Sequence, residues 1–168
     1  MRIGSLCSGY GGLDRAVRDV VGGRVVWFAD PDPAAGRILA RHWPGVPNHG
    51  DITAVDWTGV EPVDVLTAGF PCQPWSDAGR QRGTDDPRHL WPAVATAVRV
   101  LGPGIVVLEN VSGFAVRGAP AVLGDLATLG YDARWLRLPA SDIGAPHRRD
   151  RWFALAWRAA AAADPHRP

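Results

Sequence analysis

Apolar and polar positions alternate along this chain in two kinds of run. Short apolar stretches rich in Val, Ile and Leu span Arg2 to Leu6, Arg24 to Ala29, Val63 to Ala68 and Gly104 to Leu108. Such runs, apolar on both faces, predict buried strands of a parallel sheet. Longer stretches with helical spacing lie between them, over Leu13 to Val21, Ala34 to Trp43, Leu90 to Leu101 and Pro120 to Leu129. Gly22-Gly23 ends the first helix, Pro33 suits the first turn of the second, and Gly130 closes the last. Asn48 to Ile52 reads as a further short strand, and Tyr131 to Leu138 and Trp152 to Trp157 as two closing strands. The alternation predicts one α/β domain, a Rossmann-like doubly wound and mostly parallel sheet, over residues 1–157. Residues 158–168 form an alanine-rich tail expected to fray.

The candidate chemistry sits where these strands end, which is where open α/β sheets hold ligands. Cys72 follows the Val63 to Ala68 run and opens a stretch from Gln73 to Arg88 that has no helical or strand period. A polar loop of that length is usually functional or disordered. A cysteine is often a small hydrophobe, but this one is placed where a thiol can be reached. Glu109-Asn110-Val111 follows Ile105 to Leu108. A carboxylate there is costly to bury unless it is paired or protonated, and a structural hydrogen bond is the alternative to catalysis. A thiol and an acid side by side suit covalent chemistry on a ring that must be attacked and protonated together. Asn110 reads as a brace for the neighbouring loop.

Gly9, Gly11 and Gly12 form a turn between the first strand and helix, either for tight geometry or for close approach to a ligand. Asp30, at the end of the second strand, could hold two ribose hydroxyls. Asp51 could accept from an adenine amino group, whereas Asp32 reads as a helix cap. These positions outline a nucleoside-bearing cofactor pocket, and the absence of a Walker lysine argues against a triphosphate. Arg149 and Arg151 would fall on one face of an extended segment and could meet a phosphate or a base carbonyl; a solvated charged turn is the alternative. His147 reads as a hydrogen-bonding brace, with no metal-like spacing to other residues.

Composition changes this picture little. All 18 Lys+Arg residues are arginine and the formal net charge is +1, so charge alone does not predict a nucleic-acid partner. The arginine bias fits a GC-rich genome. Cys7 and Cys72 offer no disulfide framework, which suggests a reduced, cytoplasmic chain. No run is apolar enough to cross a membrane, and no signal peptide is evident at the start of the sequence.

Taken in order, these motifs closely resemble the DNA (cytosine-5-)methyltransferase family from about Ile3 to Ala156. Gly69 to Ser76 matches the catalytic Pro-Cys-Gln motif and Glu109-Asn110-Val111 the Glu-Asn-Val motif. Leu6, Cys7, Ser8, Gly9, Tyr10, Gly11 and Gly12 resemble the cofactor motif, with Cys7 where the family usually has Phe. Asp30 takes the place of a ribose-binding Glu, with Pro31 after it, and Gly50-Asp51-Ile52 resembles the adenine-binding motif. Gly79-Arg80-Gln81-Arg82-Gly83 resembles the mobile catalytic loop, and His147 to Arg151 the Gln-x-Arg-x-Arg motif with His for Gln.

The resemblance implies the fold of S-adenosylmethionine-dependent methyltransferases, with S-adenosyl-L-methionine as cofactor and DNA as substrate. Cys72 would be the nucleophile, Glu109 would hold the base near N3, and Arg151 with Arg149 would hold the O2 side. Pro71 would border the cofactor. Gln73, Ser76, Arg80, Gln81, Arg82, Arg88, Asn110 and Arg148 would contact substrate or DNA. Family members normally continue into a target recognition domain and a segment completing the cofactor pocket. Here an alanine-rich tail follows Trp157, so a minimal or split enzyme is expected, served by a second chain or by self-association. The competing expectations are a non-catalytic relic that binds cofactor or DNA, and an enzyme acting on RNA or a free cytosine nucleotide.

Overall fold

The computed structural model describes residues 1–71 and 90–158. Six strands form one sheet: β1 (Arg2–Leu6), β2 (Arg24–Ala29), β3 (Val65–Ala68), β4 (Ile105–Val111), β5 (Tyr131–Leu138) and β6 (Arg151–Arg158). Their order is β2-β1-β3-β4-β6-β5. The first four are parallel, and β6 runs antiparallel between β4 and β5. Among the described residues five α-helices connect them: α1 (Gly12–Val21), α2 (Pro33–His42), α3 (Trp91–Leu101), α4 (Phe114–Arg117) and α5 (Ala119–Thr128). The mostly parallel α/β reading therefore holds.

The direction in which the chain adds strands reverses at β1. From β1 the chain moves to β2 on one side, then returns to β3 on the other. The crevice between the carboxyl ends of β1 and β3 is therefore the switch point, the default ligand site of such folds. The larger core lies between the sheet and α3 and α5, with Leu66, Leu108 and Trp152 in it. A smaller core, including Ile3, Phe28 and Leu39, is packed by Val17 and Val21 of α1.

Several boundaries differ from the sequence reading. Asn48 to Ile52 is not a strand: a single parallel bridge joins Phe28 to Asn48. The Asn48 side chain instead clasps the backbone of Asp30, accepting from its N–H and donating to its carbonyl, each at 3.0 Å. Glu109 and Asn110 lie inside β4, because the antiparallel partner β6 extends the ladder beyond the last β3 pair, Ala68 with Leu108. Arg158 belongs to β6 rather than to the tail; its guanidinium donates to the Gly102 carbonyl at 3.1 Å. The short helix α4 has no counterpart in the sequence reading. No helix among the described residues is long and apolar enough to cross a membrane.

Candidate active site

The β3 end is fixed before the chain reaches Cys72. Phe70 is buried, with its ring 5.4 Å from that of Phe114 and 5.8 Å from that of Trp91. Phe114 in turn meets Trp152 at 5.1 Å. Asn110 donates from Nδ2 to the Phe70 carbonyl at 3.1 Å, the bracing role its sequence position suggests. A Cβ built on Gly69 would lie 3.5 Å from Glu109 Oε2 and 3.7 Å from the Cys7 carbonyl. Gly69 thus brings the Pro-Cys-Gln entrance beside both the Glu-Asn-Val carboxylate and the glycine turn. Pro71 follows, exposed. Cys72, Gln73, Ser76, Arg80, Gln81, Arg82 and Arg88 lie outside the described residues.

Glu109 accepts from Arg151, with Nε 2.9 Å from Oε1. Arg149 has a φ of 25°, so the segment before β6 is a turn and not the extended run expected from spacing. The turn still brings the two arginines together, and both line the cavity at the switch point. Arg137 pairs with Asp150 beside this turn. Arg148 and His147 are exposed and stand away from the cavity.

That cavity, about 360 Å³, falls within the usual range of small-molecule sites. Of the cofactor-motif residues, Leu6, Cys7, Ser8, Gly9, Tyr10 and Gly12 line it; Glu109 borders its other side. The glycines differ in purpose. A Cβ on Gly11 would strike Trp43 at 2.5 Å, so that position is a packing requirement. Gly9, at φ 54° with nothing near its missing Cβ, leaves open space toward a ligand. Cys7 also has a positive φ, 51°. Burial first, then the Asp30 and Asp51 carboxylates, push its thiol up to about 12, so it is a poor nucleophile.

Asp30 accepts from the backbone N–H of Gly9 at 2.8 Å and of Asp32 at 2.9 Å, one on each oxygen. A carboxylate has about four acceptor sites, so lone pairs remain for ribose hydroxyls. Asp32 caps α2 by accepting from the Ala34 N–H at 2.7 Å, as its position suggests. Asp51 stands in an exposed turn instead of at a strand end. Its carboxylate accepts from the backbone and hydroxyl of Thr53, which hold its pKa below the usual carboxylate range. Ile52 is core, and Pro31 is exposed beside Asp30.

Sequence reasoning missed Ser5, Asp14, Thr67 and Phe153, which also line the cavity. Strand alternation could have placed Ser5 and Thr67 on one face. Asp14 reads from sequence as an ordinary first-turn acid favoured by the helix dipole, and only the fold shows that it is buried.

An open α/β sheet with a nucleoside-sized cavity at its switch point, flanked by a carboxylate–guanidinium pair, defines a class of nucleotide- or cofactor-dependent proteins. The chain belongs to the C-5 cytosine-specific DNA methylase family, whose model matches residues 1–166. It is 37% identical over 158 residues to the type II methyltransferase M.HgiBI of Herpetosiphon aurantiacus, covering 89% of this chain and 36% of that protein. It is 32% identical to M.HhaI of Haemophilus parahaemolyticus, covering 94% of this chain and 49% of that one. The chain therefore spans about a third to a half of the length of these relatives. Among solved structures, the Dnmt2 methyltransferase of S. pombe superposes with a TM-score of 0.76 at 23% identity, over 94% of this chain and 51% of the other, a likeness of fold.

Proposed function

We propose that this chain is the catalytic portion of an enzyme that transfers a methyl group from S-adenosylmethionine to C5 of cytosine in DNA. The observation that carries this reading is the meeting of three motifs at one crevice: the glycine turn, Gly69 at the entrance to Pro71-Cys72, and Glu109 held by Arg151.

The cavity residues fit the cofactor. Gly9 leaves backbone exposed; Asp30, held beside the cavity by the Gly9 N–H rather than lining it, retains acceptor capacity; and α1 begins at Gly12, behind Gly11, with no side-chain cap, leaving N–H groups to receive a carboxylate. The bound cofactor supplies an electrophilic methyl group. Cytosine is taken out of its stack to reach this depth. The Cys72 thiolate adds to C6, and the displaced π electrons make C5 the nucleophile. Glu109 holds the base at N3, and Arg151 with Arg149 holds O2 as charge moves onto the ring. After C5 gains its methyl group, with S-adenosylhomocysteine as the leaving thioether, loss of the C5 proton to a base restores the double bond and expels the Cys72 thiolate.

We further propose that additional polypeptide, in a second chain or by self-association, supplies target recognition. Exposed apolar residues support this: Leu136 and Leu155 are 52% and 48% exposed, and Trp135 is 49% exposed. Leu136 and Leu155 lie diagonally on one face of the β5–β6 pair, with Trp135 on the other, and adjacent exposed apolar side chains suit contact with other polypeptide. Transfer of labelled methyl to DNA, RNA and free cytosine nucleotide, with and without a complementing half from a relative, tests the proposal. Label in DNA cytosine at C5 is the expected result. Label only in RNA or nucleotide, or none even with the complement, would overturn it.

A further inference from the structure

One buried acid has no part in the chemistry above. Asp14, in the first turn of α1, is 1% exposed, as are Ser5 and Thr67, register partners on β1 and β3. Thr67 Oγ1 is within hydrogen-bond reach of both Asp14 Oδ1 and the Gly4 carbonyl. Ser5 Oγ reaches Ser8 Oγ at 2.8 Å. Asp14 Oδ2 is buried with no hydrogen-bond partner, and no cation pairs with this carboxyl among the described residues.

A hydroxyl carries one proton. If Asp14 were ionised, the single Thr67 proton could serve either Asp14 or Gly4 and the single Ser5 proton either Asp14 or Ser8, and Oδ2 of a buried charge would keep no donor, a costly arrangement. If Asp14 carries the proton, one continuous relay satisfies both contacts: Asp14 donates to Thr67, and Thr67 donates to Gly4. The free oxygen is then a carbonyl, the cheaper group to leave unpaired. Burial independently pushes the Asp14 pKa up, against hydrogen bonds from Thr67, Ser5 and its own backbone that pull it down. The other titratable groups lining this cavity are Cys7, Tyr10, Glu109, Arg149 and Arg151.

The two elements joined here have different tasks. The turn before α1 forms the glycine cradle, and the β3 strand delivers Gly69, Phe70 and Pro71 to the catalytic loop. We propose that Asp14 is a positioning residue: as a neutral hydrogen-bond donor to Thr67, it tethers the cofactor turn to the strand that presents Cys72. The functional half of this claim rests on the cofactor reading above; the tether itself does not.

The test compares Asp14→Asn and Asp14→Ala in this chain. Asn keeps an N–H donor and a carbonyl; Ala keeps neither. Amide hydrogen exchange without ligand should show residues 65–71 protected alike in the wild type and Asp14→Asn, and exchanging at least ~10-fold faster in Asp14→Ala. Calorimetry with S-adenosylhomocysteine should show affinity within ~3-fold of wild type for Asn and weakened ~10-fold or more for Ala. Infrared difference spectra against Asp14→Asn should show the carbonyl band of a protonated carboxylic acid at pH 7. An ionised Asp14 at pH 7, or an Asn variant as impaired as Ala in exchange, overturns the proposal. Absence of S-adenosylhomocysteine binding in the wild type even with the complementing half would defeat the cofactor reading, while exchange and infrared still decide the tether.

Discussion

Arg151 Nε stands 2.9 Å from Glu109 Oε1, and both side chains remain about a quarter exposed, at 23% and 26%. The pair is built by sheet register. Glu109 faces Phe153 and Val111 faces Arg151 on antiparallel neighbours, so the two charges are diagonal on one face. A partly solvated pair of this kind contributes little stability, of order 0–1 kcal/mol. Its value lies in orientation. Arg151→Ala is therefore expected to change unfolding free energy by less than ~1 kcal/mol. It should cut methyl transfer at least ~10-fold through kcat. Urea unfolding and steady-state kinetics separate the two; a stability loss large enough to explain the rate would contradict this division.

Asn110 has the opposite character. It is 2% exposed and serves the Phe70 carbonyl two residues before Cys72. Asn110→Ala leaves a buried carbonyl unpaired, which costs about 1–3 kcal/mol. A drop of that size in denaturant stability is expected. Asn110→Asp, which loses the N–H donor, should fare no better. Stability equal to wild type in both variants would mean that the brace carries no energy.

Asp30 already accepts from two backbone N–H groups, Asp32 of its own turn and Gly9 of the glycine turn, so its removal acts twice. Asp30→Ala should weaken S-adenosylhomocysteine binding at least ~10-fold, since a charged hydrogen bond is worth about 1.5–3 kcal/mol. Asp30→Asn should retain part of the affinity by keeping one acceptor oxygen. Calorimetry that finds Asp30→Ala unchanged would move the cofactor elsewhere.

The described cysteine gives a pH prediction. Burial with the Asp30 and Asp51 carboxylates holds the Cys7 thiol protonated up to about 12. At pH 8, iodoacetamide should therefore modify Cys72 and leave Cys7 untouched, because the thiolate is the reactive form. Peptide mapping reads this directly. Prompt labelling of Cys7 at pH 8 would contradict a buried, protonated thiol.

Much of this arrangement could be read from sequence because local signals were strong. The β1 and β2 limits match the apolar runs, and Asp32 caps α2 as a cap residue before proline should. The apolar run before Pro-Cys-Gln gave the end of β3 at Ala68. What failed was decided by tertiary contact. Asn48 to Ile52 has strand-like composition near Ile52, but Asn48 spends its amide on the Asp30 backbone and the segment turns away after one bridge. Glu109 lies inside β4 because a distant antiparallel strand lengthens the ladder. Asp14 carries no sequence signal of its own, because its burial beside Thr67 and Ser5 depends on how α1 crosses β1 and β3.

The central claim is covalent catalysis by Cys72, and a suicide substrate tests it most directly. The protein, with its complementing half where required, is incubated with S-adenosylmethionine and a DNA duplex carrying 5-fluorocytosine. After C6 attack and methylation, fluorine cannot leave as the C5 proton does, so the enzyme stays attached. Intact-mass and peptide analysis should find one methylated DNA adduct at Cys72, and none in Cys72→Ser. Methyl transfer to ordinary DNA without any trapped adduct, or an adduct carried by Cys7, would contradict the account.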